Sequence, residues 1–225
     1  MRAPDTIIVG MADARFPSSL GQFLSNGVRE IDLSCNQAIG GVEGGLCNVK
    51  AQFAQVAQTE IGKKLTEETL TSWLLSKQLR AAGVDVELER HYPGSREECD
   101  LVIEGDQDRR FWIEVKYGSK RWYRRDGSTG RTSAYKGYLL GDASHPGTAH
   151  DFRKLVRLKS TDAFGIGVLL IGFDSTIAQM DADIDRLTSQ ERLTEEGWSL
   201  ATHERWLDRR NDTFRINCWF WCRKV

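Results

Sequence analysis

Proline is scarce in this chain, with 4 in 225 residues, and no stretch is rich in proline or low in complexity, which excludes an extended spacer. Long apolar runs are missing too. None approaches the roughly 20 residues that span a bilayer, and the stretch 6–10 is shorter than a signal-peptide core. A soluble cytoplasmic protein with no membrane partner is therefore expected. Cysteine is sparse and odd in number: Cys35, Cys47, Cys99, Cys218 and Cys222 do not pair into a secreted disulfide framework. Cys218 and Cys222 lie four apart with aromatic residues between them, which suits a buried strand better than a zinc knuckle. Net charge is nearly absent as well, with 31 Lys and Arg against 32 Asp and Glu, which argues against wholesale polyanion binding by the whole surface.

What is present is a globular composition, 40% hydrophobic and 28% charged, enough for one domain of about 150–200 residues with additions. The balanced charge is segregated along the chain. Seven Lys or Arg face one acid, Asp126, between Lys116 and Lys136. Six acids stand against Arg186 and Arg192 between Gln179 and Glu196. One basic and one acidic region of surface are expected.

The first 62 residues read as a helical extension serving dimerisation or regulation: a short strand at 6–9, a helix at 18–33, a glycine turn at 40–45 and a helix at 47–63. The glycine turn lacks a Walker lysine and dinucleotide spacing. From residue 63 the signals sharpen. Thr66, followed by Glu67 and Glu68, opens a helix that should run to Ala82 and stop at Gly83. Its apolar residues Leu70, Leu74, Leu75, Leu79, Ala81 and Ala82 form a broad stripe whose middle direction is near Glu67, with Glu68 toward the edge. Three strands follow at 84–90, 99–104 and 110–117, separated by turn residues Pro93-Gly94-Ser95 and Gly105-Asp106. A helix is expected at 148–159, with Phe152, Leu155 and Val156 inward and Arg153, Lys154 and Arg157 available to phosphate. A buried strand at 165–173, a helix at 180–193 and a strand at 214–223 complete the order. His91, His145, His150 and His203 have no ligand spacing, and Trp198, Trp206, Trp219 and Trp221 should anchor the C-terminal core.

The chemistry concentrates on the second and third strands. If they form an antiparallel hairpin centred on Gln107, facing residue numbers sum to 214 and Asp100 lies opposite Glu114. Directly opposed side chains share a face about 4.5–5.5 Å apart at Cβ. Lys116, two residues on, shares that face by strand alternation. Crowded carboxylates call for a cation, and Mg²⁺ takes one or two carboxylates while keeping waters and substrate phosphate. Glu67, with Glu68 as its alternative, would complete the metal shell. After Lys116, the residues Lys120, Arg121, Trp122, Tyr123, Arg124, Arg125 and Arg131 interleave positive charge with flat rings, the combination that grips phosphate and stacks bases.

Asp100, then Glu114-Val115-Lys116, with a Glu-bearing helix before the first strand and helix-then-strand after the lysine, resembles the PD-(D/E)XK nuclease superfamily. The resemblance spans about 65–173. The proline of the motif is absent, since Cys99 precedes Asp100. What it implies is an α/β restriction-endonuclease-like core, a central mixed β-sheet flanked by helices, occupying 63–225 with N- and C-terminal additions. It also implies a Mg²⁺-dependent endodeoxyribonuclease, with Mn²⁺ as substitute, DNA as partner, Asp100 and Glu114 as ligands and Lys116 as the catalytic lysine; restriction or phage defence is one context such an enzyme would serve, and the resemblance does not assign it. Paired cleavage of duplex DNA makes a homodimer the expected assembly. Two other readings stay open: a nuclease for RNA or for branched or single-stranded DNA, and a catalytically silent nucleic-acid-binding module of the same fold. If the 118–131 segment grips phosphate, neutralising Arg124 and Arg125 together lowers nucleic-acid affinity and flattens its salt dependence by about one unit of slope per lost contact. A binding titration across salt concentrations checks this, and unchanged affinity removes the segment from the site.

Overall fold

The computed structural model describes residues 15–38, 67–105, 108–119, 139–141, 147–158, 161–176, 179–207 and 214–225. The strand expected at 6–9, the glycine turn and the helix at 47–63 lie outside them. The chain divides into two compact units, Met1–Val115 with Ser160–Phe164, and Lys116–Lys159 with Gly165–Val225.

The first unit opens with α1, Phe16–Ala38, longer at both ends than the expected 18–33. Pro17 sits in its first turn, where a missing N–H costs nothing. Phe16, Leu20, Leu24, Val28 and Ile31 recur at helical spacing and are all buried. Phe16 fixes the start of α1 against two strands, with its ring 5.8 Å from both Phe111 and Phe164. At Gly27 the helix meets its neighbour so closely that a Cβ would lie 2.8 Å from the Leu75 side chain. That neighbour is α2, Glu67–Ala81. It ends as the sequence predicts: Gly83 has φ +79°, its N–H donates to the Arg80 carbonyl, and the Val84 N–H donates to the Leu79 carbonyl. The buried face differs from the expected stripe. Thr71, Ser72, Trp73 and Ser76 join Leu70, Leu75 and Leu79 inside, while Leu74 is half-buried and Ala81 exposed. Small hydroxyl side chains permit a close approach, and Ser76 satisfies its own by donating to the Trp73 carbonyl at 2.7 Å.

Strands β1 (Val86–His91), β2 (Glu98–Glu104) and β3 (Arg110–Ser119) follow. β1 and β2 pair antiparallel from Val86↔Ile103 to His91↔Glu98, through a turn in which Gly94 has φ +72°. β2 and β3 pair antiparallel with Leu101↔Ile113, Val102↔Trp112, Ile103↔Phe111 and Glu104↔Arg110. Each pair sums to 214, the register expected from the sequence.

The second unit holds the end of β3, α3 (Thr148–Val156), β4 (Ala163–Ser175), α4 (Asp181–Gln190), β5 (Ser199–Leu207) and β6 (Phe214–Lys224). α3 stops at an Arg157 cap, short of the expected 159, so Val156 falls on the last turn and is 40% exposed rather than inward. β4 pairs antiparallel with β6 over its length, from Gly165↔Lys224 to Ser175↔Phe214, and β6 pairs antiparallel with β5. The strand order is β1-β2-β3-β4-β6-β5. Phe111 meets Phe164 and Tyr117 meets Phe173, so residue numbers rise together along β3 and β4. Those two strands run parallel, and the sheet is mixed. The fold is α/β, a six-stranded mixed sheet flanked by helices.

β5 was not evident from the sequence. It ends the sheet, its residues alternate between exposed and half-buried, and its His, Glu and Arg resemble a loop. Edge strands carry such charge to resist pairing with other chains. Trp198, Trp219 and Trp221 are buried, and the Phe152 ring of α3 stands edge-on to Trp198 at 4.8 Å and Trp221 at 5.6 Å. Cys218 and Cys222 are buried thiols of β6, in no disulfide. The acids of 179–196 do not form a bare acidic surface: Asp181 meets Arg205, Glu191 meets Arg153, Glu195 meets Arg192 and Glu196 meets Arg223.

Asp174, fully buried near the end of β4, gathers this unit. Arg215 donates to both its oxygens, Nε to Oδ1 at 2.9 Å and Nη2 to Oδ2 at 2.8 Å. Asn217 Nδ2 reaches Oδ1 at 3.1 Å, and the Met180 N–H at the head of α4 reaches Oδ2 at 2.8 Å. Removing one partner of a buried ion pair strands the other. Arg215→Met is therefore expected to cost about 3–5 kcal/mol in urea unfolding, and Asp174→Leu combined with Arg215→Met to cost less than the single change.

Candidate active site

One face of the first unit's three strands is polar at both ends and aromatic in the middle. At one end Glu104 accepts from Arg110 Nε at 2.8 Å and Arg90 Nη1 at 3.2 Å, and Arg110 also pairs with Asp162. The Arg90 guanidinium lies 5.8 Å over the Trp112 ring. Tyr92, just beyond β1, stacks on Trp112 with centroids 5.4 Å apart and planes at 18°. The Tyr92 hydroxyl donates to Glu114 Oε1. Strand alternation forces this sequence of neighbours, because residues 110, 112 and 114 share one face of β3. Phe111, Ile113 and Val115 are buried on the other.

Glu114 is only 3% exposed. The paired register of β2 and β3 ends at Leu101↔Ile113, one residue short of Asp100 and Glu114. Asp100 Oδ2 accepts the Val115 N–H at 2.7 Å, which ties its carboxylate to β3 beside Glu114. Cys99, fully buried, directs its Sγ at the Ile113 carbonyl at 3.2 Å and the Leu101 carbonyl at 3.5 Å. Its thiol is held well above the ordinary range by burial first, with the charges of Glu114 and Asp100 acting in the same direction. Burial raises the Tyr92 phenol too, reinforced by Cys99 and by Glu114. Two neighbouring groups thus feel the negative field of the site, and Tyr92 remains a donor at neutral pH.

Lys116 begins the second unit. Its Nζ lies 3.4 Å from Asp151 Oδ2, the lysine side chain 26% exposed and the aspartate 4%. Asp151 was not singled out in the sequence as a partner. As a first-turn acid of α3 it resembles an ordinary response to the helix dipole. The available signal was its spacing with Thr148, Phe152 and Leu155, which places it on the buried face at i, i+3, i+4 and i+7. Tyr92 was missed because its partners are strands away. Arg153, expected to be available to phosphate, is committed to Glu191 at 2.7 Å.

Glu67 and Glu68 start α2, and their side chains lie outside the described residues, as do Lys120, Arg121, Trp122, Tyr123, Arg124, Arg125, Arg131 and His145. Among the described residues no group of three or more His, Cys, Asp and Glu is placed to hold a metal ion. Asp100 and Glu114 are hard oxygen donors of the kind that a magnesium site with retained waters takes. His91 pairs with Glu98 at 3.6 Å. His203 stacks on Trp219 at 4.9 Å, and burial, then the Arg205 charge, lowers its pKa. Neither joins the site.

Compared with protein-family models, with curated proteins and with solved structures, the chain matches none.

The raised Tyr92 pKa has a consequence for stability. Above about pH 10 the unfolded chain releases this proton and the folded one keeps it, so stability is complete below that pH and falls as pH rises. Tyr92→Phe is expected to remove about 1.4 kcal/mol per pH unit from the alkaline decline. Denaturant unfolding of both proteins between pH 9 and 11.5 checks this, and parallel declines would refute it.

Proposed function

We propose that this chain is a Mg²⁺-dependent endodeoxyribonuclease of the PD-(D/E)XK type, with a restriction-endonuclease-like core and Mn²⁺ as a substitute ion. The observation that carries the reading is the hydrogen bond from the Val115 N–H to Asp100 Oδ2, which holds the Asp100 carboxylate against the backbone next to Glu114; the β2–β3 ladder runs in the expected register from Glu104↔Arg110 to Leu101↔Ile113. The element order α2, β1, β2, β3, α3, β4 supports it, as do the antiparallel pairings of β2 with both neighbours.

In this mechanism Asp100 and Glu114 would hold the cation. When bound, a divalent ion there supplies positive charge to a scissile phosphate oxygen and lowers the cost of ionising the attacking water. Lys116, two residues along β3 from Glu114, offers an ammonium to the charge that develops on the phosphate oxygens, or orients the water. Asp151 holds that ammonium from α3. A homodimer would present two such sites to the two strands of a duplex.

The test is a panel of supercoiled plasmid, linear duplex, single-stranded DNA, branched DNA and RNA with Mg²⁺, Mn²⁺ or EDTA. Cutting of duplex DNA that EDTA abolishes is expected, falling about 10²-fold or more in Glu114→Gln and in Lys116→Ala. Cutting confined to RNA or to branched or single-stranded DNA favours the other nuclease reading. Binding without cutting of any substrate favours the silent module, and undiminished cutting by both variants overturns the residue assignment.

A further inference from the structure

We infer that Tyr92 is a positioning residue for Glu114: its hydroxyl fixes the carboxylate in the orientation that binds the divalent ion. The inference rests on the reading of Glu114 as a metal ligand. It concerns a residue that neither the hairpin register nor the acid-acid-lysine spacing identifies.

Tyr92 is itself held firmly. It sits 6% exposed at the head of the β1–β2 turn, where its N–H donates to the Glu97 carbonyl and its carbonyl accepts the Ser95 N–H, each at 3.0 Å. Its ring is clamped flat on Trp112, which belongs to the same strand as Glu114 and stands two residues before it. The hydroxyl therefore approaches Glu114 Oε1 from a direction set by β3 itself. A glutamate side chain has three rotatable torsions, and ordering it for a metal costs entropy that a fixed hydrogen bond meets in advance. A ligating carboxylate is commonly held by such an outer partner, whose loss typically weakens metal affinity about 10–100-fold.

A purely structural role makes a different forecast. If the hydroxyl only compensates the burial of Glu114, its loss lowers stability and leaves ion binding alone. Tyr92→Phe keeps the stacked ring, so the fold has its packing and the change is confined to one oxygen. Calorimetric titration of Mn²⁺ into the DNA-free protein reads binding without cleavage. The expected result is an affinity about 10-fold or more below wild type. Cleavage kinetics should show a reduced kcat that rises again at high Mg²⁺, with KM for DNA unchanged. In Glu114→Gln, adding Tyr92→Phe should bring no further loss of affinity, because the two side chains act as one unit.

Mn²⁺ affinity within twofold of wild type in Tyr92→Phe, with binding lost in Glu114→Gln, overturns the positioning role and leaves the metal reading standing. Full Mn²⁺ affinity in Glu114→Gln overturns the metal reading itself, and the role of Tyr92 with it.

Discussion

A carboxylate almost wholly removed from water, Glu114 at 3% exposure, is the constraint around which the first unit is arranged. Burying such a group is costly unless donors meet it, and the donor it meets comes from the turn after β1. The β2–β3 register decides whether this can happen. A slip of one residue would turn Glu114 to the face occupied by Phe16 and Phe111, an aromatic surface with nothing to offer a charge. The same slip would move Ile113 and Val115, both buried, to the face now held by Trp112 and Glu114. Packing on one face and polar satisfaction on the other thus select one register.

Local physics made much of this legible in the sequence. The hairpin needs only strand-forming residues on either side of Gly105-Asp106, so its centre, and from it the pairing of Leu101 with Ile113 through Glu104 with Arg110, could be read from spacing. The helix stop at Gly83 depends on one residue that tolerates positive φ, and the apolar run of β4 is long enough to name itself. What depended on distant partners was opaque. Tyr92 resembles a turn residue until Trp112 is brought beneath it, and Asp151 an ordinary helix-start acid until Lys116 arrives at 3.4 Å. β5 hides because an edge strand may be polar, and the acidic run after Gln179 misleads because Arg153, Arg205 and Arg223 come from other elements to meet it.

The second unit solves a similar problem by a different chemistry. Its buried acid, Asp174, is met by a guanidinium in a two-point pair from the facing strand position, since Asp174 and Arg215 are register partners. Nearby, Gly172 lets Trp219 and Met180 approach so closely that a Cβ would lie 2.4 Å from the indole. A charge neutralised in this way suits a structural anchor: the pair orients β6 and the head of α4, and its worth lies in fixing one arrangement.

The contrast between the two acids bears on function. Glu104, at the other end of the first unit's polar face, is likewise met by arginines, Arg90 and Arg110. Glu114 takes its hydrogen bond from a phenol and Asp100 takes its from a backbone amide. A phenol and a backbone amide are neutral donors, which order a carboxylate without themselves cancelling its charge. The Cys99 sulfur beside them is directed at the carbonyls of Ile113 and Leu101, which leaves oxygen as the donor presented by both acids. On the proposed reading, two carboxylate ligands suit a hard ion that keeps its waters, magnesium or manganese, over zinc, which favours nitrogen and sulfur in a closed tetrahedron.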